Sequence, residues 1–123
     1  MAKRSTRQKR AIEQVLHHAR GPLSARQIQA KASELCGSLS LATVYRIVAT
    51  GAEAGDLVTV HLEDNVTRYE DKNRKHHHHF LCEDCEEVID IQLPCETLAH
   101  RLPEGYAVTR HEITLYGRCA ECA

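Results

Sequence analysis

Two cysteine pairs, Cys82-Glu-Asp-Cys85 and Cys119-Ala-Glu-Cys122, stand in the second half of the chain with 33 residues between them, and no other feature restricts its folding as much. Knuckles at this spacing hold zinc: four thiolates converge tetrahedrally at about 2.3 Å from the ion, and the site adds folding free energy outright. The chain needs that help, because one Phe, four Tyr and no Trp leave few large rings for a core. Disulfides are the alternative, but they do not suit a reducing cytosol, and a redox Cys-x-x-Cys would want a surrounding βαβ pattern. A cytosolic protein is expected, since MAKRSTRQKR carries charge with no apolar run behind it and no twenty-residue apolar stretch follows. Outside the pairs, Cys36 reads as a buried helix-end thiol and Cys95 as a candidate soft ligand beside acidic residues.

Immediately before the first pair lies His76-His77-His78-His79, internal to the chain. If Lys75 to Leu81 is extended, alternation sends His76 and His78 to one face and His77 and His79 to the other. Each face then offers two imidazoles at chelating separation, so two metal sites can be built. Partners are available at Glu70, at Asp90 in the strand pattern VIDI, at Glu96, and at His111 in the strand pattern VTRHEITLYG. The alternative is a surface polyhistidine with adventitious metal affinity. His17, His18, His61 and His100 are single or off-pattern and read as ordinary surface residues.

The net charge of −1 hides a division: residues 1–55 hold nine Lys/Arg against three Asp/Glu, whereas residues 56–123 hold seven against fourteen. A basic N-terminal half suits a polyanion and an acidic, His- and Cys-rich half suits cations, although a solvated surface explains the basic half as well. Apolar spacing predicts a helix from residue 6 to about 19, ended by Gly21-Pro22. A second helix follows Ser24 as N-cap and closes at Cys36-Gly37, and a third follows Ser40, with Leu41, Val44 and Val48 inward and Thr43, Tyr45, Arg46 and Thr50 outward. LVTVHL and VTRYE flank Glu63-Asp64-Asn65 as a hairpin. Three short helices and a hairpin make a winged helix-turn-helix, whose third helix reads double-stranded DNA. Arg46 can fork onto guanine, and Thr43 or Tyr45 can touch a thymine methyl, while Lys9, Arg7 and Arg10 can neutralise phosphates. Tyr45 could equally be a core ring with its hydroxyl at the surface.

Taken in order, Ser24-Ala-x-x-Ile28, Ala42-Thr-Val-Tyr-Arg46, Arg68-Tyr-Glu70, the His76–Cys85 run and His111-x-x-x-Leu-Tyr-Gly-x-Cys-x-x-Cys122 resemble the Fur family of metal-dependent repressors, most closely its zinc-uptake type. The resemblance covers nearly the whole chain. It implies an α+β fold: a winged helix-turn-helix domain over 1–72, a hinge at about 70–76, and a small α/β dimerisation domain with structural zinc over 76–123. It also implies a homodimer that binds its DNA operator more tightly when a sensed metal is bound. Carried over by position, Cys82, Cys85, Cys119 and Cys122 match the structural zinc ligands. His76, His78 and His111 match one regulatory site, with Glu96 as its carboxylate if a helix beginning at Pro94 is shortened. Glu70, His77, His79 and Asp90 match an interdomain site. Tyr45 and Arg46 match base-contacting positions, and Lys9 matches a basic residue of the first helix that meets DNA.

Three departures bear on these expectations. Pro22 stands where many relatives have a His completing the interdomain site, which takes away from a peroxide-sensing role. Glu86 stands where Gly usually follows the first knuckle, at a cost of roughly 1 kcal/mol if that backbone needs φ > 0. Gly51 replaces an apolar residue near the end of the third helix, losing about 1 kcal/mol of helix propensity, so that this helix should end early or fray.

The expected function is a repressor that senses zinc and controls metal-uptake genes, with a structural Zn2+ and a second, regulatory divalent metal. Iron(II) or manganese is the alternative for the second ion, because imidazole and carboxylate accept all three. No membrane and no small-molecule substrate are expected. A zinc deaminase would want an open coordination position and Pro before the first Cys-x-x-Cys; Leu81 precedes Cys82 and four cysteines close the site. A zinc-ribbon protein-interaction module is the remaining alternative, and it would bind no duplex DNA.

Overall fold

The computed structural model of the chain describes residues 2–96 and 98–123. They fall into two compact units, Met1–Lys75 and His76–Ala123.

In the first unit, α1 spans Ala2–His18 and turns Ala11, Ile12, Val15 and Leu16 into the core. Its last carbonyls are satisfied from far along the chain: Arg74 Nη2 donates to Leu16 O at 3.1 Å and to Ala19 O at 2.8 Å. α1 ends at His18, ahead of Gly21-Pro22, and Pro22 is fully buried with no side-chain donor atom at that position. The two-residue strand β1, Leu23–Ser24, leads into α2, Ala25–Cys36. Ser24 caps α2 reciprocally: its Oγ accepts from Gln27 N–H, and Gln27 Oε1 accepts from Ser24 N–H. The helix stops at Gly37, whose φ of 86° only glycine adopts freely. Cys36 is half-buried rather than buried, its Sγ 3.6 Å from Gly37 O.

Ser40 caps α3, Leu41–Glu53, accepting from Thr43 N–H and donating to Thr43 Oγ1 at 2.9 Å. Val44 and Val48 are fully buried, at one face of the 3.6-residue period. The helix does not end early at Gly51. A Cβ there would meet Leu57 Cδ1 at 2.9 Å and Cγ at 3.0 Å, so the glycine admits the strand that follows. That strand, β2 (Leu57–His61), pairs antiparallel with β3 (Thr67–Asp71), and β1 adds to the other edge of β3. Three helices and this sheet form the winged helix.

The second unit is a three-stranded sheet in the order β5-β4-β6. Central β4, His78–Cys82, runs antiparallel to β5, Val88–Ile91, and parallel to β6, Thr114–Gly117. The strand read from VTRHEITLYG is confined to its last four residues, and His111 lies in the extended segment before it. The helical content described here is a 3-10 turn, Leu98–Arg101, and no helix starts at Pro94. Among the described residues only Leu81, Cys82 and Val88 are buried apolar side chains in this unit. No helix of the described chain is by itself long and apolar enough to cross a membrane.

Candidate metal centres and DNA-reading face

Cys82, Cys85, Cys119 and Cys122 come together, with their sulfurs within 4.8 Å of one another. The two knuckles are hairpin-like turns. Glu86 N–H donates to Cys82 O and Cys82 N–H to Glu87 O, while Cys122 N–H donates to Cys119 O. Glu86 takes φ 63°, so the first knuckle keeps the backbone that glycine would adopt freely and holds a bulkier residue in it. Backbone N–H groups of Cys85 and Cys119 lower the Cys82 thiol to about 6; the Cys119 N–H lies 3.3 Å from its sulfur. The other thiols respond in the opposite sense. Cys122 is raised by Cys119 and Cys82, and Cys85 is raised because Cys82, burial and Cys119 outweigh the N–H of Glu87. Four thiols this close cannot all ionise unless a cation offsets their repulsion.

A tetrahedron of zinc ligands has edges of roughly 3.8 Å between sulfurs, about 3.6 Å between sulfur and nitrogen and about 3.3 Å between nitrogens, given zinc–ligand distances near 2.3 and 2.0–2.1 Å. Cys85 Sγ and Cys119 Sγ are 3.8 Å apart. The cluster fits zinc by donor chemistry and by size.

Alternation along the histidine run separates its odd and even members. His76, His78 and His111 gather with Cys95, all four donor atoms within 4.8 Å. His76 Nε2 is 3.0 Å from His111 Nε2, and Cys95 Sγ is 3.1 Å from His78 Nε2, 3.2 Å from His111 Nε2 and 3.7 Å from His76 Nε2. These lengths again lie near tetrahedral edges. His78 is buried, and burial, then its neighbours His76 and His111, push its pKa down, so it is held as the neutral base that a metal requires.

The carboxylate assigned to this set from the sequence, Glu96, is exposed, and the residue beside it supplies the fourth donor atom. The reason lies in the backbone. Pro94 biases Leu93 toward an extended conformation, and Cys95 folds back so that its Sγ donates to Leu93 O at 3.3 Å. With no helix beginning at Pro94, the side chain turned toward the imidazoles is Cys95. Its signal in the sequence was a soft donor next to a proline, outweighed there by the carboxylate that follows.

On the other face, His77 Nε2 and His79 Nε2 lie 3.1 Å apart, each 3.6 Å from Asp90 Oδ1. The sheet register sets this directly, since His79 and Asp90 are cross-strand partners. Glu70, the fourth residue that the sequence resemblance assigns here, belongs to the first unit and is buried on β3.

In the first unit, Tyr45 is 50% exposed and Arg46 is exposed on α3, so Tyr45 is not a core ring. Thr43 is half-buried, with its hydroxyl engaged by the Ser40 cap. Lys9, exposed on α1, lines one cleft of about 380 Å3 together with Arg46, Thr50 and Lys72. Lys9 and Arg46 therefore border one concave surface.

A winged helix whose third helix exposes Tyr45 and Arg46, continued in one chain by a sheet bearing sulfur and imidazole donor clusters, defines a metal-responsive DNA-binding regulator. The Ferric uptake regulator family model matches residues 1–116, and the chain belongs to that family. Its plan, a winged-helix DNA-binding domain followed by a dimerisation domain, is the fold described above.

The ferric uptake regulation protein of Vibrio anguillarum is 34% identical over 102 residues, covering 80% of this chain and 68% of that protein. The peroxide-responsive repressor PerR of Staphylococcus aureus is 30% identical over 123 residues, covering 97% and 82%. A solved zinc-bound manganese uptake regulator superposes with a TM-score of 0.81 at 26% identity, covering 91% of this chain and 87% of that one. These relatives are named for iron, peroxide and manganese. Kinship therefore leaves the sensed metal of this chain to its own donor atoms.

Proposed function

We propose that this protein is a zinc-sensing repressor of metal-uptake genes, a cytoplasmic homodimer whose affinity for its DNA operator rises when the imidazole clusters are filled. Its parts are a DNA-binding domain over 1–72, a hinge at about 70–76 and a dimerisation domain over 76–123. The observation that carries the reading is the division of His76–His79 into two donor sets at the start of the second unit, leading into β4. Imidazole supplies three of the four donors of the first set and the pair His77 and His79 of the second, and near-tetrahedral spacing favours zinc.

In this scheme Cys82, Cys85, Cys119 and Cys122 hold one ion permanently and shape the second unit. Bound zinc supplies positive charge and four directional bonds. His76, His78 and His111 on one face, and His77, His79 and Asp90 on the other, fix the start of β4. Arg74, two residues before His76, is tied to the end of α1, so order in the histidine run passes along the chain to the helices of the reader. Tyr45, Arg46 and Thr43 then meet base edges, and Lys9 meets phosphate. A hundredfold change in affinity requires only about 2.7 kcal/mol of differential binding.

The homodimer is supported by how little apolar surface the second unit buries alone. Tyr106, Val108, Leu115 and Tyr116 are exposed in it, Tyr106 by 69%, and a second copy is the cover that the family plan provides. Asp90 gives a second reading its foothold: a hard oxygen donor beside His77 and His79 suits iron(II) or manganese.

The test is a mobility shift against duplex DNA from the chain's own upstream region, after chelation and then graded zinc, iron(II) or manganese. We expect one zinc per subunit to survive chelation and added zinc to restore DNA binding. Restoration by manganese or iron(II) alone would transfer the assignment to that metal.

A further inference from the structure

We propose that Cys95 is a direct ligand of the His76/His78/His111 site and sets its preference for zinc over manganese; the inference rests on the zinc-sensing reading and deepens it. Cys95 Sγ sits among the three imidazoles, within 3.1 to 3.7 Å of each Nε2. Its own proton is directed to Leu93 O, which leaves the sulfur lone pairs toward the ring nitrogens. Nothing else in the described chain completes this set with an anion, and the neighbouring carboxylate, Glu96, is exposed.

A carboxylate and a thiolate bring the same charge, so the exchange leaves the net electrostatics of the site unchanged. Two other properties differ. A carboxylate can give two hard oxygens and raise the coordination number toward the six that manganese prefers, whereas a thiolate gives one soft atom and closes the site at four. Three imidazoles and one thiolate at tetrahedral spacing therefore discriminate by ligand softness and by coordination number together. Ligation releases the thiol proton, and zinc compensates that cost better than manganese does.

The experiment uses the full-length protein with zinc retained in the four-cysteine site, titrated with cobalt(II) as a spectroscopic stand-in and then challenged with zinc or manganese. We expect one cobalt per chain, a thiolate-to-cobalt charge-transfer band, displacement by zinc, and resistance to manganese. Cys95→Ser should lose the band with the structural zinc still present. Cys95→Asp should bind cobalt without the band and lower the zinc-over-manganese preference at least about a hundredfold, above the roughly 10–100-fold that a change outside the ligand shell costs. Glu96→Gln should behave as wild type.

Alkylation of unsubstituted protein gives a check that needs no variant. Zinc added to the chelated protein should protect Cys95 from iodoacetamide and leave Cys36 reactive. A charge-transfer band that persists in Cys95→Ser with the structural zinc in place overturns the proposal, as does alkylation of Cys95 unaffected by zinc. Because these readouts report metal binding and not DNA affinity, they separate the two ideas. A protein that binds zinc through Cys95 yet gains operator affinity only with manganese would refute zinc sensing and uphold the ligand assignment.

Discussion

Asp64 grips Arg68 at both oxygens, Oδ2 2.8 Å from Nη2 and Oδ1 3.0 Å from Nη1, at the bend of the wing. Arg68 is only 1% exposed, and its guanidinium holds the Asp64 carboxyl below the ordinary carboxylate value. Asp64→Ala should destabilise the winged helix by about 2 kcal/mol, less than the roughly 3–5 kcal/mol of a fully buried pair because solvent reaches the carboxylate. The folded value lies below the unfolded one. The stabilisation is therefore complete above the ordinary carboxylate value of 3.8 and is lost as pH falls through the lower folded value. Denaturant melts of wild type and Asp64→Ala across that range should converge at the acid end.

Gly51 tests whether the third helix tolerates its glycine for a reason. Elsewhere in a helix, Gly→Ala gains about 1 kcal/mol. Here the added carbon would meet Leu57 at 2.9 Å, and Leu57 packs against the core. Gly51→Ala should therefore give no gain and a loss of up to about 1 kcal/mol, with Gly51→Val worse. In a double-mutant cycle with Leu57→Ala, the helical gain should reappear. A stabilised Gly51→Ala single variant would contradict this packing account.

The four-cysteine cluster should be structural for the second unit alone. All three α-helices lie in the first unit, which has its own core. Cys85→Ser should remove the tightly held zinc and collapse the β5-β4-β6 sheet while far-ultraviolet helix signal is largely retained. Loss of helix and sheet in one step would mean that the two units do not fold independently.

DNA recognition should divide by residue. Arg46→Ala should cost about 1–3 kcal/mol and relax the operator sequence at one position, whereas Lys9→Ala should weaken all sequences alike and reduce the salt slope by about one. Binding isotherms at several salt concentrations, on operator and scrambled duplexes, distinguish the two.

What the sequence disclosed, and what it hid, follows from how local each cause is. The caps at Ser24 and Ser40 and the stop at Gly21-Pro22 are signals read within a few residues, and the helices they bound are the ones observed. Alternation along His76–His79 is also local, and the two donor groupings follow from it once β4 forms. β1 was missed because it is two residues long and exists only through its pairing with β3, more than forty residues on. The alternating pattern over residues 108–112 forms no strand, and pairing with β4 starts only at Ile113, whose carbonyl accepts from His79 N–H, because a strand needs a neighbour as well as a pattern. Glu96 was favoured over Cys95 because the choice depends on the Leu93–Cys95 backbone, which letters alone do not specify. Gly51 looked like a helix flaw for the same reason, since Leu57 that fills the space lies in another element.

The most direct test of the whole account is operator affinity measured against buffered free zinc, in parallel for wild type and for the His77→Ala/His79→Ala double variant. The account predicts an increase of about a hundredfold in the wild type, equivalent to about 2.7 kcal/mol. It predicts no increase in a double variant that remains folded with one tightly held zinc per subunit. A double variant that answers zinc as the wild type does would contradict the claim that this imidazole pair relays metal occupancy to the DNA-reading unit.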